Sequence, residues 1–321
     1  MKVGIVGSGF MGKTHIEAYK KCGIDDLFVC DTNIENAEKL ASEFGGKAFS
    51  DFGEMLNTAN LDAVSVCVPT PMHEALTIQA LEKGVAVLCE KPFAATVEAA
   101  EGMLTRATET KTPLMVAHCL RFMKPYVYLK QAITDGRFGK LLSLNMWRHS
   151  TMPLWSAGSW LSDMEKSGGA VVDLHVHETD IAVFLLGVPK AVTTMGDYKQ
   201  CATLYHYDKV AVSAQASWRK AENVPFMSGY NANFENATIR FDGEKVTVFN
   251  GDKVITNALE TEAFPMYIKS DNPYENEICY FVSNVKSGNF EFCPVNESLV
   301  STKTVYAELG SVKLKKTVEV K

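Results

Sequence analysis

The chain has 321 residues, 46% of them hydrophobic and 22% charged, which is the usage of a folded globular protein with room for two domains. Thirty-eight acidic against 32 basic residues leave a net charge of −6, so there is no global positive field to hold nucleic acid or an anionic membrane. The apolar runs fall far short of the roughly 20 residues that cross a bilayer, and a small-molecule partner is the expectation.

Up to about residue 120 the pattern alternates. Short β-branched runs at Val3 to Val6, Leu27 to Cys30, Ala63 to Val68, Val85 to Cys89 and Leu114 to Ala117 predict strands, and 10–21, 34–44, 72–83 and 97–109 have helical period. Nearly continuous apolar strands of this kind are buried on both faces, so a parallel sheet covered by helices is expected. After residue 120 a helix near 125–135, a strand at Leu141 to Trp147 and a helix from Asp173 to Leu186 are followed by mostly strands. Asp242-Gly243 and Asn250-Gly251 punctuate Thr238 to Phe241, Lys245 to Phe249 and Lys253 to Ile255 as antiparallel hairpins. Helices near 274–286 and 296–309 precede a tail in which Val312, Leu314, Val318 and Val320 alternate with polar residues, which predicts a last strand. The chain divides on this reading into 1–120 and 121–321.

Gly7-Ser8-Gly9-Phe10-Met11-Gly12 follows the first strand and opens the first helix. In that context Gly7 serves the tight turn, Gly9 the approach of backbone to a pyrophosphate and Gly12 the packing of helix on strand. The unpaired N–H groups and dipole of the helix N-terminus favour the phosphates. Asp31, at the end of the second strand, can accept from both ribose hydroxyls and would repel a 2′-phosphate, so NAD is expected ahead of NADP. FAD is the rival, although no further flavin-binding feature accompanies the glycines.

Glu90-Lys91-Pro92 ends the fourth predicted strand at the sheet edge where ligands of such folds bind, and Pro92 favours an extended Lys91 rather than a helical one. Further on, Asp173 and His177 are four apart on a predicted helix and share a face, with Asp180 further along it, while His175 points elsewhere. An aspartate that fixes the tautomer of a histidine makes it a competent general base. A metal held by His175, His177, Asp173 and His118 is the alternative, but ligands on a helix usually stand three or four apart rather than two, and no metal is expected. Eight cysteines, at 22, 30, 67, 89, 119, 201, 279 and 293, are scattered without a CxxC, so reduced core thiols and a cytoplasmic setting are expected.

These elements together, with Val68-Pro69-Thr70-Pro71-Met72-His73 and Arg121-Phe122, resemble the Gfo/Idh/MocA oxidoreductases, in particular inositol dehydrogenase-like members, in order and spacing over essentially the whole chain. The resemblance implies an α/β protein: a Rossmann doubly wound parallel sheet, then a C-terminal α/β domain with a large, mostly antiparallel open sheet. It also implies NAD(P)-dependent oxidation or reduction of a sugar, inositol or other polyol, and homodimers or homotetramers built through the sheet faces. Lys91, Asp173 and His177 match the family's catalytic trio; Thr70, Pro71, His73 and Glu90 match positions beside the nicotinamide, and Arg121 and Trp160 positions near the substrate. Ala170, where many relatives carry a third glycine, and Leu174 and His175, where smaller residues are common, depart from the pattern. An NAD-dependent glycosidase or epimerase using transient oxidation, or a non-catalytic NAD-binding regulator, are the alternatives.

Overall fold

A computed structural model describes residues 1–152, 160–219, 221 and 223–321. The first elements alternate: β1 (Lys2–Val6), α1 (Phe10–Lys21), β2 (Asp26–Cys30), α2 (Ile34–Phe44), β3 (Lys47–Phe49), α3 (Phe52–Thr58), β4 (Ala63–Val66), α4 (His73–Glu82), β5 (Ala86–Glu90), α5 (Val97–Thr110) and β6 (Leu114–Ala117). Then come α6 (Lys124–Asp135), β7 (Leu141–Thr151), α7 (Met164–Ser167), α8 (Gly169–Asp173), α9 (Val176–Leu186), β8 (Ala191–Gly196), β9 (Gln200–His206), β10 (Ala211–Arg219), β11 (Met227–Phe234), β12 (Thr238–Phe241), β13 (Val246–Asn250) and β14 (Lys253–Ile255). The chain closes with α10 (Pro273–Asn284), α11 (Val295–Leu314) and β15 (Val318–Glu319).

Two compact units result, Met1–Phe122 with Met266–Leu299 and Met123–Pro265 with Val300–Lys321. A single cut at residue 120 therefore does not describe them, because residues 266–299 return to the first unit. Aromatic packing explains the return: the fully buried Phe122 meets Tyr267, Tyr280 and Phe292 at ring distances of 6.5, 5.3 and 5.3 Å. Asn276 adds a buried amide that donates to the Phe122 carbonyl at 3.0 Å.

In the first unit six parallel strands run in the order β3-β2-β1-β4-β5-β6. Apolar side chains of β4, β5 and β6 join Phe52, Met55 and Met103 in one core, which is the reason those strands read as continuous apolar runs. The short β3 and α3 were not expected from the pattern. Strand order reverses between β1 and β4, so the crevice for a ligand lies at the carboxyl ends of these strands. Cys22, at the end of α1, and Cys279, in α10, form a disulfide with Cα atoms 5.5 Å apart, contrary to the expectation of reduced thiols throughout. The other six cysteines form no disulfide.

In the second unit nine strands run β14-β13-β12-β11-β7-β10-β9-β8-β15, antiparallel except for β7 beside β10. Burial alternates along β9, with Cys201, Thr203 and Tyr205 inward and Gln200, Ala202 and Leu204 outward, as one covered and one open face require. Two expectations need correction. The helix expected from Asp173 to Leu186 is interrupted at Leu174 and His175, between α8 and α9. The alternating tail is helical through Leu314, because Val305, Leu309 and Val312 pack with Val172 and Trp218, and only Val318–Glu319 pairs as a strand, with β8.

Candidate active site

In the first unit the turn after β1 leaves no space for side chains at two positions. Gly7 has φ +96°, and a Cβ there would lie 2.2 Å from the Cys67 carbonyl oxygen; one on Gly12 would lie 2.0 Å from the Gly7 carbonyl. Gly9, by contrast, is the residue before α1, caps it with no side chain, and has open space above it. Phe10 is exposed and Met11 half-buried, so the helix N-terminus is accessible. This is a cradle that suits a pyrophosphate: rigid backbone beneath, unpaired N–H groups at the rim.

Asp31 closes on the same turn. Its Oδ2 accepts from the Ser8 backbone N–H at 2.9 Å and the Ser8 hydroxyl at 2.6 Å, and its Oδ1 accepts from the Asn33 N–H at 2.9 Å. Partial burial opposes the charge, but these Ser8 and Asn33 bonds outweigh it and hold the carboxyl below its ordinary range.

The loop after β5 holds the next group. Lys91 is half-buried and precedes Pro92 through a cis peptide bond. Thr70 is buried, whereas Pro71 is exposed. His73, expected beside a cofactor, is instead an interior tie: Nδ1 lies 3.0 Å from the Pro92 carbonyl and Nε2 lies 2.9 Å from that of Val68. Glu90 is likewise interior, 5% exposed, with Oε1 2.8 Å from His15 Nε2 and Oε2 accepting the Lys91 backbone N–H at 3.1 Å. Burial works against its charge, yet the bond from His15, with Lys91 and His73 close by, keeps its carboxyl below the usual range. Arg121 has no exposed surface, and its Nη1 donates to Glu297 at 2.5 Å, which makes it part of the packing of this unit.

In the second unit the decisive segment runs from Ser167 to Leu185. Every residue in it is buried except Asp173 and His177. Asp173 ends α8 and His177 lies in the first turn of α9, so the interruption between the helices still leaves both partly exposed in an otherwise buried segment. His175 does point elsewhere: Nε2 lies 3.0 Å from Thr203 Oγ1 and 3.3 Å from the Tyr205 hydroxyl. Burial first, and the Arg148 charge second, push it down to about 3, so it is neutral. Asp180 does not share the open side, because it is buried and accepts from Ser301 Oγ at 2.8 Å. Trp160 is half-buried and opens a single helical turn beside residues 153–159, which lie outside the described part. Among the described residues no three His, Cys, Asp or Glu side chains gather as a metal site.

The family models of two adjoining domains match in order. Residues 1–118 match the model described as oxidoreductase family, NAD-binding Rossmann fold, and residues 126–249 that of the Gfo/Idh/MocA C-terminal domain. The chain belongs to the Gfo/Idh/MocA oxidoreductase family. It is 31% identical over 231 residues to D-glucoside 3-dehydrogenase of Escherichia coli K12, a match that covers 68% of this chain and 65% of that one. With inositol 2-dehydrogenase of Rhizobium meliloti it is 25% identical over 344 residues, covering 100% and 99% of the two chains. Several other curated relatives are matched over only about half of their own length. The solved structure of levoglucosan dehydrogenase with NADH and levoglucosan shares the fold, with a TM-score of 0.85, 20% identity and coverage of 100% and 99%.

His15, Ser65 and Tyr19, which connect to Glu90, were not singled out in the sequence. They lie 75, 50 and 46 residues from their partners, and no local pattern carries that pairing.

Proposed function

We propose that this chain is an NAD-dependent oxidoreductase acting on a hydroxyl-bearing carbon of a sugar, inositol or related polyol. The observation that carries the reading is the Ser167–Leu185 segment, in which an aspartate and a histidine alone are left unburied while the apolar residues around them pack inward. NAD, when bound, would take up the hydride released from the carbon as the alcohol becomes a carbonyl. The backbone at Gly7, Gly9 and Gly12 would hold its pyrophosphate, and the ionised Asp31 would favour a ribose 2′-hydroxyl over the phosphate of NADP.

The residues of the chain then divide the rest of the work. His177 removes the hydroxyl proton, and Asp173 orients it and stabilises the imidazolium. Lys91 donates to the oxygen as negative charge develops there, where a preorganised donor lowers the barrier most. Thr70 and Pro71 would shape the cofactor side, with His73 and Glu90 acting from within; Trp160 is proposed to border the substrate. The names of the relatives, among them a glucoside, an inositol and a levoglucosan dehydrogenase, support the substrate class.

We also propose a homo-oligomer and a cytoplasmic setting. The first is supported by Met195 on β8, Leu204 on β9 and Phe249 on β13, exposed on the large sheet. The second is supported by the six cysteines outside the Cys22–Cys279 disulfide, most of them buried; among the described residues no helix is long and apolar enough to cross a membrane. The test is incubation of EDTA-treated protein with NAD and a panel of sugars, polyols and glycosides, following NADH and product identity together. NADH in step with a ketone or lactone is expected. A rearranged or hydrolysed product without NADH would instead favour transient oxidation, and no turnover on any member would favour a regulator.

A further inference from the structure

Beneath Lys91 a run of polar side chains leads to Glu90, and three of them, Tyr19, His15 and Ser65, have no part in the proposed chemistry. Tyr19 and His15 project from α1, Ser65 from β4 and Glu90 from the end of β5, and all four are buried. The Tyr19 hydroxyl is 2.9 Å from Ser65 Oγ, Ser65 Oγ is 3.0 Å from His15 Nδ1, and His15 Nε2 is 2.8 Å from Glu90 Oε1. Glu90 Oε2 accepts the Lys91 backbone N–H at 3.1 Å.

With His15 neutral, one assignment of protons satisfies every link. An ionised carboxylate only accepts, so Nε2 of His15 must donate to it; in a neutral ring Nδ1 then accepts from Ser65, whose oxygen accepts from Tyr19. All three O–H and N–H groups point the same way, toward Glu90, and bonds aligned in this manner in a low dielectric reinforce one another. We propose that Tyr19, Ser65 and His15 are a positioning relay that keeps Glu90 ionised and, through Glu90, fixes the backbone of Lys91. The proposal rests on the reading of Lys91 as the residue that donates to the substrate oxygen. It would tie the helix beneath the cofactor phosphates to the placement of that lysine.

The groups facing Glu90 fit the role. His15 approaches from α1, His73 from α4, Lys91 and Cys89 from its own strand and loop, Cys67 from the end of β4 and Tyr274 from α10. Burial holds Cys67 and Cys89 in their neutral forms, and the neighbouring Cys119 together with burial does the same for Tyr274, so the histidines and Lys91 are the groups that favour a carboxylate here. Of the histidines only His15 bonds to it directly. His15→Leu removes that donor, and burial then drives the Glu90 carboxyl upward. His15→Gln can restore a donor at the same place.

The experiment uses full-length protein with ¹³C-labelled glutamate, reading the Glu90 carboxyl by NMR titration, together with kcat, KM and NAD affinity on an accepted sugar or polyol. In His15→Leu the Glu90 titration is expected to move up by at least one pH unit. kcat is expected to fall about tenfold and its acid limb to move upward, with NAD affinity and substrate KM within about twofold of the parent. His15→Gln should recover most of both effects, and Ser65→Ala should give a smaller shift in the same direction. Should His15→Leu not fold, Ser65→Ala carries the comparison. An unchanged Glu90 titration in Ser65→Ala and in whichever His15 variants fold would overturn the relay. Lys91→Ala is the separate control: if it keeps its turnover the proposed role of Lys91 fails, while the Glu90 titration still decides whether the relay exists.

Discussion

Gly7, Gly9 and Gly12 occupy one motif, yet the structure assigns them different physical duties, and alanine at each position separates fold from cofactor binding. At Gly7 a side chain must accept φ +96° and a Cβ 2.2 Å from the Cys67 carbonyl oxygen. Left-handed backbone costs about 1–2 kcal/mol, and relieving an overpacked contact with backbone about 1–3 more, so Gly7→Ala should lose about 2–5 kcal/mol. Gly12→Ala meets the Gly7 carbonyl at 2.0 Å, so the helix must move off the strand. Gly9→Ala meets nothing within 4 Å and has an ordinary extended backbone at φ −73°. Alanine there gains about 0.4–1 kcal/mol through the unfolded chain and loses a few tenths or more as a poorer cap, leaving stability within about 1 kcal/mol of the parent. Its methyl would stand where the pyrophosphate approaches, and NAD affinity should fall at least tenfold, about 1.4 kcal/mol. Chemical denaturation and calorimetric titration with NAD measure the two quantities independently. Gly9→Ala that binds NAD as tightly as the parent, or Gly7→Ala that is as stable as the parent, would refute this division of roles.

Lys91→Ala and His177→Ala should each lower kcat about 10²-fold or more while NAD still binds, because both groups act mainly in the transition state; steady-state kinetics with NAD titrations check this. Asp31→Ser combined with Thr32→Arg should move the ratio of kcat/KM values for NADP and NAD at least tenfold toward NADP, and an unchanged ratio would remove Asp31 from cofactor choice. Glu308 in the second unit, raised to about 8 by burial despite its bonds with Thr179 and Tyr205, gives a pH prediction. A carboxyl whose folded pKa is raised stabilises fully below its unfolded value near 4.5 and loses that contribution as pH rises toward about 8. Glu308→Gln should therefore gain in Tm relative to the parent across that window, and a constant difference in Tm would contradict the buried, protonated assignment.

What could be read from the sequence was local. The glycine turn, Asp31 and Lys91 lie at strand ends, where a short, nearly continuous apolar run gives way to polar or glycine residues and marks the element boundary. Asp173 and His177 draw attention in the sequence by their four-residue spacing, and both are partly exposed on either side of the interruption at Leu174 and His175. The interruption itself is not legible, since no glycine or proline marks it. Asp180 looked equivalent by spacing and is not, because Ser301, far along the chain, buries and binds it. The same reason hid His15 behind Glu90, the Glu297 partner of Arg121, the Cys22–Cys279 disulfide and the return of residues 266–299 to the first unit. Each depends on contacts between distant parts of the chain that periodicity does not encode.

The central claim is that a hydride leaves the hydroxyl-bearing carbon for NAD while His177 takes the proton. The most direct measurement supplies an accepted sugar or polyol carrying deuterium on the carbon to be oxidised and examines the NADH by mass spectrometry. The account predicts one deuterium in the reduced cofactor, together with a primary isotope effect on turnover. Reduced cofactor without deuterium, from a substrate that has lost it, would contradict direct transfer and the reading built on it.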